Sequence, residues 1–213
     1  MLSKEIGCRA RIVTSCLATS GTSRIVVIRI FSSEVCARSA VVSALVVRSK
    51  KAFRCFSVLN YIVTCNDIHL LIKDTGSNVI ADSMQLIAGR TGQEYNQRKA
   101  RHGAFWEDRY HATAIEADEH LQRCLVYIDL NMVRARVVSH PSNWAHSGYW
   151  EIQNPPKRYA IIDLPELSSL CGFNGVTDFQ QAHRQWVTAA LSESVVREGR
   201  RRLRSAISIL LRR

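Results

Sequence analysis

The chain has 213 residues, enough for one domain with a sizeable core and an appendage. Arg and Ser interrupt every apolar stretch before it reaches the roughly 18 to 20 residues that a membrane-spanning helix needs, so the sequence predicts no membrane segment and no secretory signal. The seven cysteines are scattered and never spaced C-x-x-C, which favours reduced thiols in a cytoplasm over disulfides or a zinc site.

The net charge of +11 is concentrated at the two ends of the chain. Residues 1–60 carry +8, residues 61–193 carry −3, and residues 194–213 carry +6. A basic protein suggests a nucleic-acid partner, but the middle of this chain is slightly acidic. The high isoelectric point therefore says little about what the middle segment does.

The first 50 residues form an atypical basic segment with a single aromatic residue, Phe31. The stretch "SRIVVIRIF" is typical of a strand, and "SSEVCARSAVVSALVVRSKKAF" is typical of a helix that Ser33 caps. One hypothesis treats residues 1–50 and the basic tail 194–213 as segments that are not native to the fold, for example from a shifted reading frame. The alternatives are solvated tails, or basic arms for a phosphate backbone.

A regular pattern begins near Phe56. The runs "FSVLNYIVTC" and "IHLLIK" predict a hairpin with a tight turn at Cys65-Asn66. A helix follows, with one face formed by Ile80, Met84, Ile87, Thr91 and Tyr95. "YHATAIE" predicts a strand, and "ADEHLQRCLVYIDLNMVRA" predicts a helix with the core stripe Leu121, Leu125, Ile128 and Met132. This order predicts an α+β fold, an antiparallel sheet with helices packed on one face.

Two pairs of residues stand out as candidates for chemistry. Asp67 and His69 are two apart in a strand and therefore point the same way, either as metal ligands or as residues beside a turn. Tyr127 and Asn131 are four apart in a helix and share a face offset from the apolar stripe.

A third candidate is the loop "NQRKARHGAFWEDR", in which cations alternate with aromatic residues. Such a mixture suits stacking and phosphate contacts with single-stranded DNA. The residues are Arg98, Lys99, Arg101, Trp106 and Arg109. A solvated loop whose aromatic residues anchor it to the core is the alternative.

Together, "NYIVTCNDIHLLI", "RHGAFWEDRYHATAIE", "YIDLNMVRA" and "HPSNWAHSGY" resemble the REP-associated tyrosine transposases of the single-tyrosine HUH transposase superfamily, most strongly over residues 56–149. The resemblance implies a ferredoxin-like sheet, a divalent Mg or Mn ion, and single-stranded or hairpin DNA as partner. It implies that Tyr127 is the nucleophile and that His69 and Asn131 bind the metal. Asp67 stands where the family's first histidine is expected, and an Asp-x-His pair remains a chemically reasonable site for these ions.

The resemblance also divides the chain. It implies a transposase-like catalytic domain over residues 51–150, a helical C-terminal extension over 151–193, and a basic tail. No Walker-type Gly-rich loop is present, so we expect no nucleotide cofactor. Three interpretations follow: a DNA-cleaving and rejoining enzyme, a catalytically impaired family member that only binds hairpins, and a degenerate product without function.

Overall fold

The computed structural model describes residues 24–31, 56–64, 67–74, 79–106, 110–115, 119–158 and 160–210. Its elements are β1 Arg24–Phe31, β2 Phe56–Val63, β3 Asp67–Asp74, α1 Val79–Arg98, β4 His111–Ile115, α2 Glu119–Asp129, α3 Asn131–Arg134, a 3₁₀ turn Pro141–Asn143, α4 Gly148–Gln153, α5 Leu164–Leu170 and α6 Val176–Leu210. Within the described ranges, no helix has the length and apolarity needed to cross a membrane.

The four strands form one antiparallel sheet in the order β2-β3-β1-β4. This is the strand order of the ferredoxin-like arrangement, so the predicted α+β class with an antiparallel sheet is confirmed. The predicted hairpin is confirmed as β2 and β3, which pair from Phe56 opposite Asp74 to Val63 opposite Ile68. The predicted turn at 65–66 lies outside the described residues.

Strand β1 lies in the interior of the sheet, between β3 and β4. It comes from "RIVVIRIF", inside the segment that one hypothesis placed outside the native fold. Its eight residues pair with β3 over their whole length, and Ile25, Val26 and Ile28 are buried. Residues 24–31 are thus an integral strand. The rest of 1–50 lies outside the described residues, and the proposed domain boundaries stay predictions.

The two long helices before residue 130 use the apolar faces that the sequence predicts. In α1, Met84, Ile87, Thr91 and Tyr95 are buried, and Ile80 is half-buried. The α2 stripe Leu121, Leu125 and Ile128 is buried, as is Met132. The predicted single helix is interrupted at Leu130, so Asn131 and Met132 belong to the short helix α3.

Residues on either side of α4 bond to the outer edge of β2. The Val63 N–H donates to the His146 carbonyl at 2.9 Å, and the Trp144 indole N–H donates to the Val63 carbonyl at 3.0 Å. Further along the edge, the Asp163 N–H donates to the Val58 carbonyl at 2.8 Å. An unpaired strand edge is a template for association with other chains, and these contacts satisfy part of that edge internally.

Candidate active site

Asp67 opens β3 and contacts both Thr64, the residue after β2, and the other residues of the site. Its Oδ1 accepts a hydrogen bond from the Thr64 hydroxyl, and its backbone N–H donates to Thr64 Oγ1 at 3.0 Å. The second oxygen, Oδ2, lies 3.2 Å from Nε2 of His69. Both Asp67 and His69 are buried, so neither is a surface residue beside a turn.

Arg29 of β1 contributes a cation that the sequence did not lead us to expect. It lies directly opposite His69 in the β1–β3 pairing, which makes Asp67 its diagonal neighbour on the same face. Its Nη2 donates to Asp67 Oδ2 at 3.1 Å. Arg29 was missed because its position depends on the register of a strand pair that is distant in sequence.

The environment of Asp67 favours its ionised form. Burial alone raises the pKa of this carboxyl, but the hydrogen bonds with His69 and Thr64 and the charges of His69 and Arg29 together outweigh burial. The result is a pKa lowered to about 2. The Asp67 carboxylate is therefore available as an anionic ligand at neutral pH.

Helix α2 brings Tyr127 to the same place, and α3 brings Asn131. The Tyr127 ring centroid lies 6.2 Å from that of His69, nearly edge-on, and Asn131 Nδ2 lies 3.4 Å from His69 Nε2. Tyr127 is 49% exposed, so its phenol is open to solvent, while His69 beside it is buried and Asn131 is half-buried. The two predicted pairs thus meet in one site.

Arg134 is a second residue that sequence reasoning missed. Its guanidinium carbon lies 4.0 Å from the centre of the Tyr127 ring, and its Nη2 donates to the Tyr127 carbonyl. A guanidinium over an aromatic face is an attractive cation–π contact. The sequence contained a pattern that could have indicated Arg134, because residues 127, 131 and 134 follow the i, i+4, i+7 spacing of one helical face.

The geometry of Asp67, His69 and Asn131 fits a divalent ion. Adjacent ligands of an octahedral ion with bonds near 2.1 Å are about 3 Å apart. Asp67 Oδ2 lies 3.2 Å from His69 Nε2, and the Asn131 amide lies 3.4 Å from the same nitrogen, measured from its Nδ2. Among the described residues no group of three or more His, Cys, Asp and Glu side chains could hold a metal. A third side-chain ligand beside Asp67 and His69 would be the Asn131 amide, through its oxygen. Manganese accepts such a mixed shell more readily than magnesium.

His111 of β4 lies two strands away from His69, on the other side of Arg29. It pairs with Arg29 across β1 and β4, as Arg29 pairs with His69 across β1 and β3. With neighbouring strands about 4.8 Å apart, His111 is about 10 Å from His69. It is exposed and lies beyond the distance at which it could share an ion with His69.

In the predicted DNA-binding loop, the basic residues and the aromatic residue differ in their surroundings. Arg98 and Lys99 are exposed, and the Arg101 guanidinium lies 5.9 Å from the Tyr95 ring. Trp106 is half-buried and donates its indole N–H to the Ala88 carbonyl at 2.9 Å, as an aromatic anchor does. Arg109 lies outside the described residues.

Four residues of the site lie within a range of the chain that matches a known family. Residues 33–131 match the family model described as Transposase IS200 like, and this range includes Asp67, His69, Tyr127 and Asn131. A solved structure of the REP-associated tyrosine transposase bound to a REP hairpin aligns at 13% sequence identity and a TM-score of 0.49, covering 63% of this chain and 82% of that chain. No curated protein matches the chain.

Proposed function

We infer, from the IS200-like transposase domain that this chain carries over residues 33–131, that it cleaves and rejoins single-stranded DNA beside a hairpin through a phosphotyrosine intermediate. The preference for a hairpin comes from the sequence resemblance to REP-associated tyrosine transposases. The observation that carries the chemical proposal is the exposed phenol of Tyr127 beside the buried side chains of Asp67 and His69 and the half-buried Asn131.

Tyr127 is the nucleophile in this proposal. Its phenol oxygen forms a bond to a backbone phosphorus while the bond from phosphorus to the 3′ oxygen breaks. The products are a 5′-phosphotyrosine and a free 3′ hydroxyl, and attack by a 3′ hydroxyl reverses the step and rejoins DNA. Because the phosphodiester energy is retained in the adduct, no nucleotide cofactor is needed.

The other side chains orient the reacting groups. Arg134 holds the Tyr127 ring from one side, and a guanidinium at this position also suits a phosphate oxygen. Asp67, His69 and Asn131 are the residues that would hold Mg or Mn. Such an ion would supply Lewis acidity, which stabilises the negative charge of the transition state in phosphodiester cleavage.

A second candidate function is hairpin binding without turnover. It is favoured by the ion pair of Arg29 with Asp67, because the same carboxylate oxygen cannot bind both the guanidinium and an ion at full strength. The presence of Asp67 at the position where the resemblance leads us to expect a histidine also favours hairpin binding without turnover. In this case the domain keeps DNA affinity and forms no covalent adduct.

The test is covalent capture of a labelled hairpin oligonucleotide with a single-stranded flank in the presence of manganese. We expect an adduct on Tyr127 that is resistant to denaturation and is lost in Tyr127→Phe with hairpin affinity unchanged. Tyr110→Phe is the matched control and should retain the adduct. An adduct that maps to Tyr95 or Tyr110 would refute the assignment, and hairpin binding without any adduct would establish the second function.

A further inference from the structure

Asp129 lies on the opposite side of α2 from Tyr127. Successive residues of an α-helix are rotated by about 100°, so side chains two residues apart point about 200° away from each other. Tyr127 is 49% exposed and Asp129 is 1% exposed. A contact that holds the Asp129 carboxylate therefore fixes the rotation of α2 about its axis, and with it the direction of Tyr127.

Two other elements hold that carboxylate. Asn60 of β2 donates its Nδ2 hydrogen to Asp129 Oδ1 at 3.0 Å, and His183 of α6 contacts Oδ2 through Nε2 at 2.7 Å. The side chains of Asp129 and His183 are both fully buried. Asn60 is fixed in turn, because its Oδ1 accepts the Tyr61 N–H at 2.8 Å. Such donors are required, since an unpaired carboxylate inside a protein is costly.

The neighbours of His183 determine which ring nitrogen carries the proton. Arg184 donates from Nε and Nη2 to Gln153 Oε1 at 3.1 and 2.8 Å, which directs the amide nitrogen of Gln153 toward the other side. That nitrogen lies 2.9 Å from His183 Nδ1 and 3.2 Å from the Gln180 carbonyl, with one hydrogen for each. Nδ1 is therefore the acceptor, and Nε2 donates its hydrogen to Asp129.

Aromatic rings fix the imidazole between these partners. Phe179 stacks on His183 with ring centroids 5.7 Å apart, and Tyr149 lies 5.6 Å away on α4. His183 lies in the C-terminal extension, beyond the range 33–131 that matches the transposase family. One of the two groups that hold Asp129, His183, thus comes from outside the matched range, whereas Asn60 lies inside it.

We propose that His183 is a positioning residue: by donating to Asp129 it fixes α2 so that Tyr127 faces His69 and Asn131. This inference rests on the function proposed above, since it assigns His183 an effect on the reaction of Tyr127. Loss of this contact leaves the DNA-binding surface in place and moves the phenol away from the phosphorus.

The experiment compares His183→Gln, His183→Asn and His183→Ala with the wild type and with Gln181→Ala, an exposed residue on the same helix. The three measurements are the rate of adduct formation at saturating hairpin oligonucleotide, the Kd for that oligonucleotide, and hydrogen exchange of the α2 amides without DNA. The longer Gln side chain places an N–H close to the position of His183 Nε2, and the shorter Asn side chain does not.

We expect His183→Gln and Gln181→Ala to retain most of the wild-type rate. We expect His183→Asn and His183→Ala to lose about 10- to 100-fold in rate with unchanged Kd, because a small displacement of a reacting group has effects of this size. Hydrogen exchange in α2 should accelerate in the same two variants. Equal rates for the Gln and Asn variants, or a Kd that weakens in parallel with the rate, would overturn the proposal.

The two proposals fail in distinguishable ways. If the wild type forms no adduct, the proposed reaction is wrong, while hydrogen exchange still tests the contact between α6 and α2. A wild-type His183 with its proton on Nδ1, measured by nitrogen NMR, or α2 exchange that is the same in wild type and His183→Ala, overturns the positioning role by itself.

Discussion

Asp67 and His69 share one face of β3, and the Asp67 Oδ2 lies 3.2 Å from the His69 Nε2. Because the other Asp67 oxygen bonds to Thr64, one carboxylate is held by the residue that follows β2 and faces the site at once. Asp67 therefore fills the position at which the resemblance leads us to expect a histidine. What it adds is a negative charge, and Arg29 neutralises part of that charge.

The first prediction concerns this replacement. Asp67→His should raise manganese-dependent cleavage of hairpin oligonucleotide, because it restores an imidazole and frees Arg29 from its ion pair. Asp67→Ala should reduce cleavage by at least about tenfold, the usual scale for losing a group that supports a metal. The wild type should work better with manganese than with magnesium. Cleavage would be measured across a titration of each metal. If the three proteins behave alike and His69→Ala changes nothing, the site does not bind a metal.

The second prediction concerns Arg134. Arg134→Ala removes the cation over the Tyr127 ring and should lower the rate of adduct formation by about tenfold, given the 0.5 to 2 kcal/mol typical of such contacts. Arg134→Lys should retain part of the rate, because it keeps the charge and loses the planar stack. Single-turnover kinetics at saturating DNA measures the effect.

Arg123→Ala is the matched control for Arg134. Arg123 is on α2 and pairs with Glu119 at 2.5 Å, but both side chains are exposed, and exposed pairs contribute little. The Arg123 variant should react like the wild type. Equal losses in the Arg123 and Arg134 variants would indicate a general effect of removing positive charge.

The sequence alone predicted those elements whose pattern lies within one short stretch of the chain. The paired strands β2 and β3 lie within twenty residues of sequence and are rich in strand-forming residues, and the Leu121, Leu125 and Ile128 stripe repeats at helical spacing. Both could be read without knowing any distant neighbour. The same is true of the Tyr127 and Asn131 pair, although the break at Leu130 was missed because nothing in "YIDLNMVRA" interrupts the helical pattern.

What the sequence did not reveal depends on pairing between distant segments. β1 joins the sheet next to β3, which follows it by about forty residues, and its basic surroundings concealed that role. Arg29 reaches Asp67 only through that register. His183 is a single histidine in a polar helix, and such a residue has no signal until α6 packs against α2 and buries it beside Asp129.

The third prediction tests the packing between α4 and β2. A methyl group added at Gly148 would overlap Asn60 Oδ1 and lie 2.8 Å from Ile162 Cδ1. Gly148→Ala should lower the free energy of unfolding by about 1 to 3 kcal/mol, as overpacking does. A methyl group added at Gly89 in α1 would have nothing within 4 Å. Gly89→Ala should therefore raise the free energy of unfolding by about 0.5 to 1 kcal/mol. Urea denaturation of the two variants provides the measurement, and a Gly148→Ala variant as stable as the wild type would contradict this packing.

The fourth prediction is a pH dependence that Asp67 imposes on stability. Its pKa is lowered from 3.8 to about 2 in the folded protein, because the hydrogen bonds with His69 and Thr64 and the charges of His69 and Arg29 together outweigh burial. A carboxyl with a lowered pKa stabilises the folded state fully above its unfolded pKa and loses that contribution as pH falls through the folded value. The window is therefore from pH 3.8 down to about 2.

Within that window, the free energy of unfolding should fall more steeply with acid in the wild type than in Asp67→Asn, which has no proton to bind at this position. The measurement is a series of urea denaturation curves from about pH 6 down to the lower end of that window. Asp82→Asn, at an exposed position of α1, should keep the wild-type slope. If Asp67→Asn also keeps that slope, the hydrogen bonds from His69 and Thr64 do not hold Asp67 in its ionised form, and the anionic ligand inferred for the metal site loses its support.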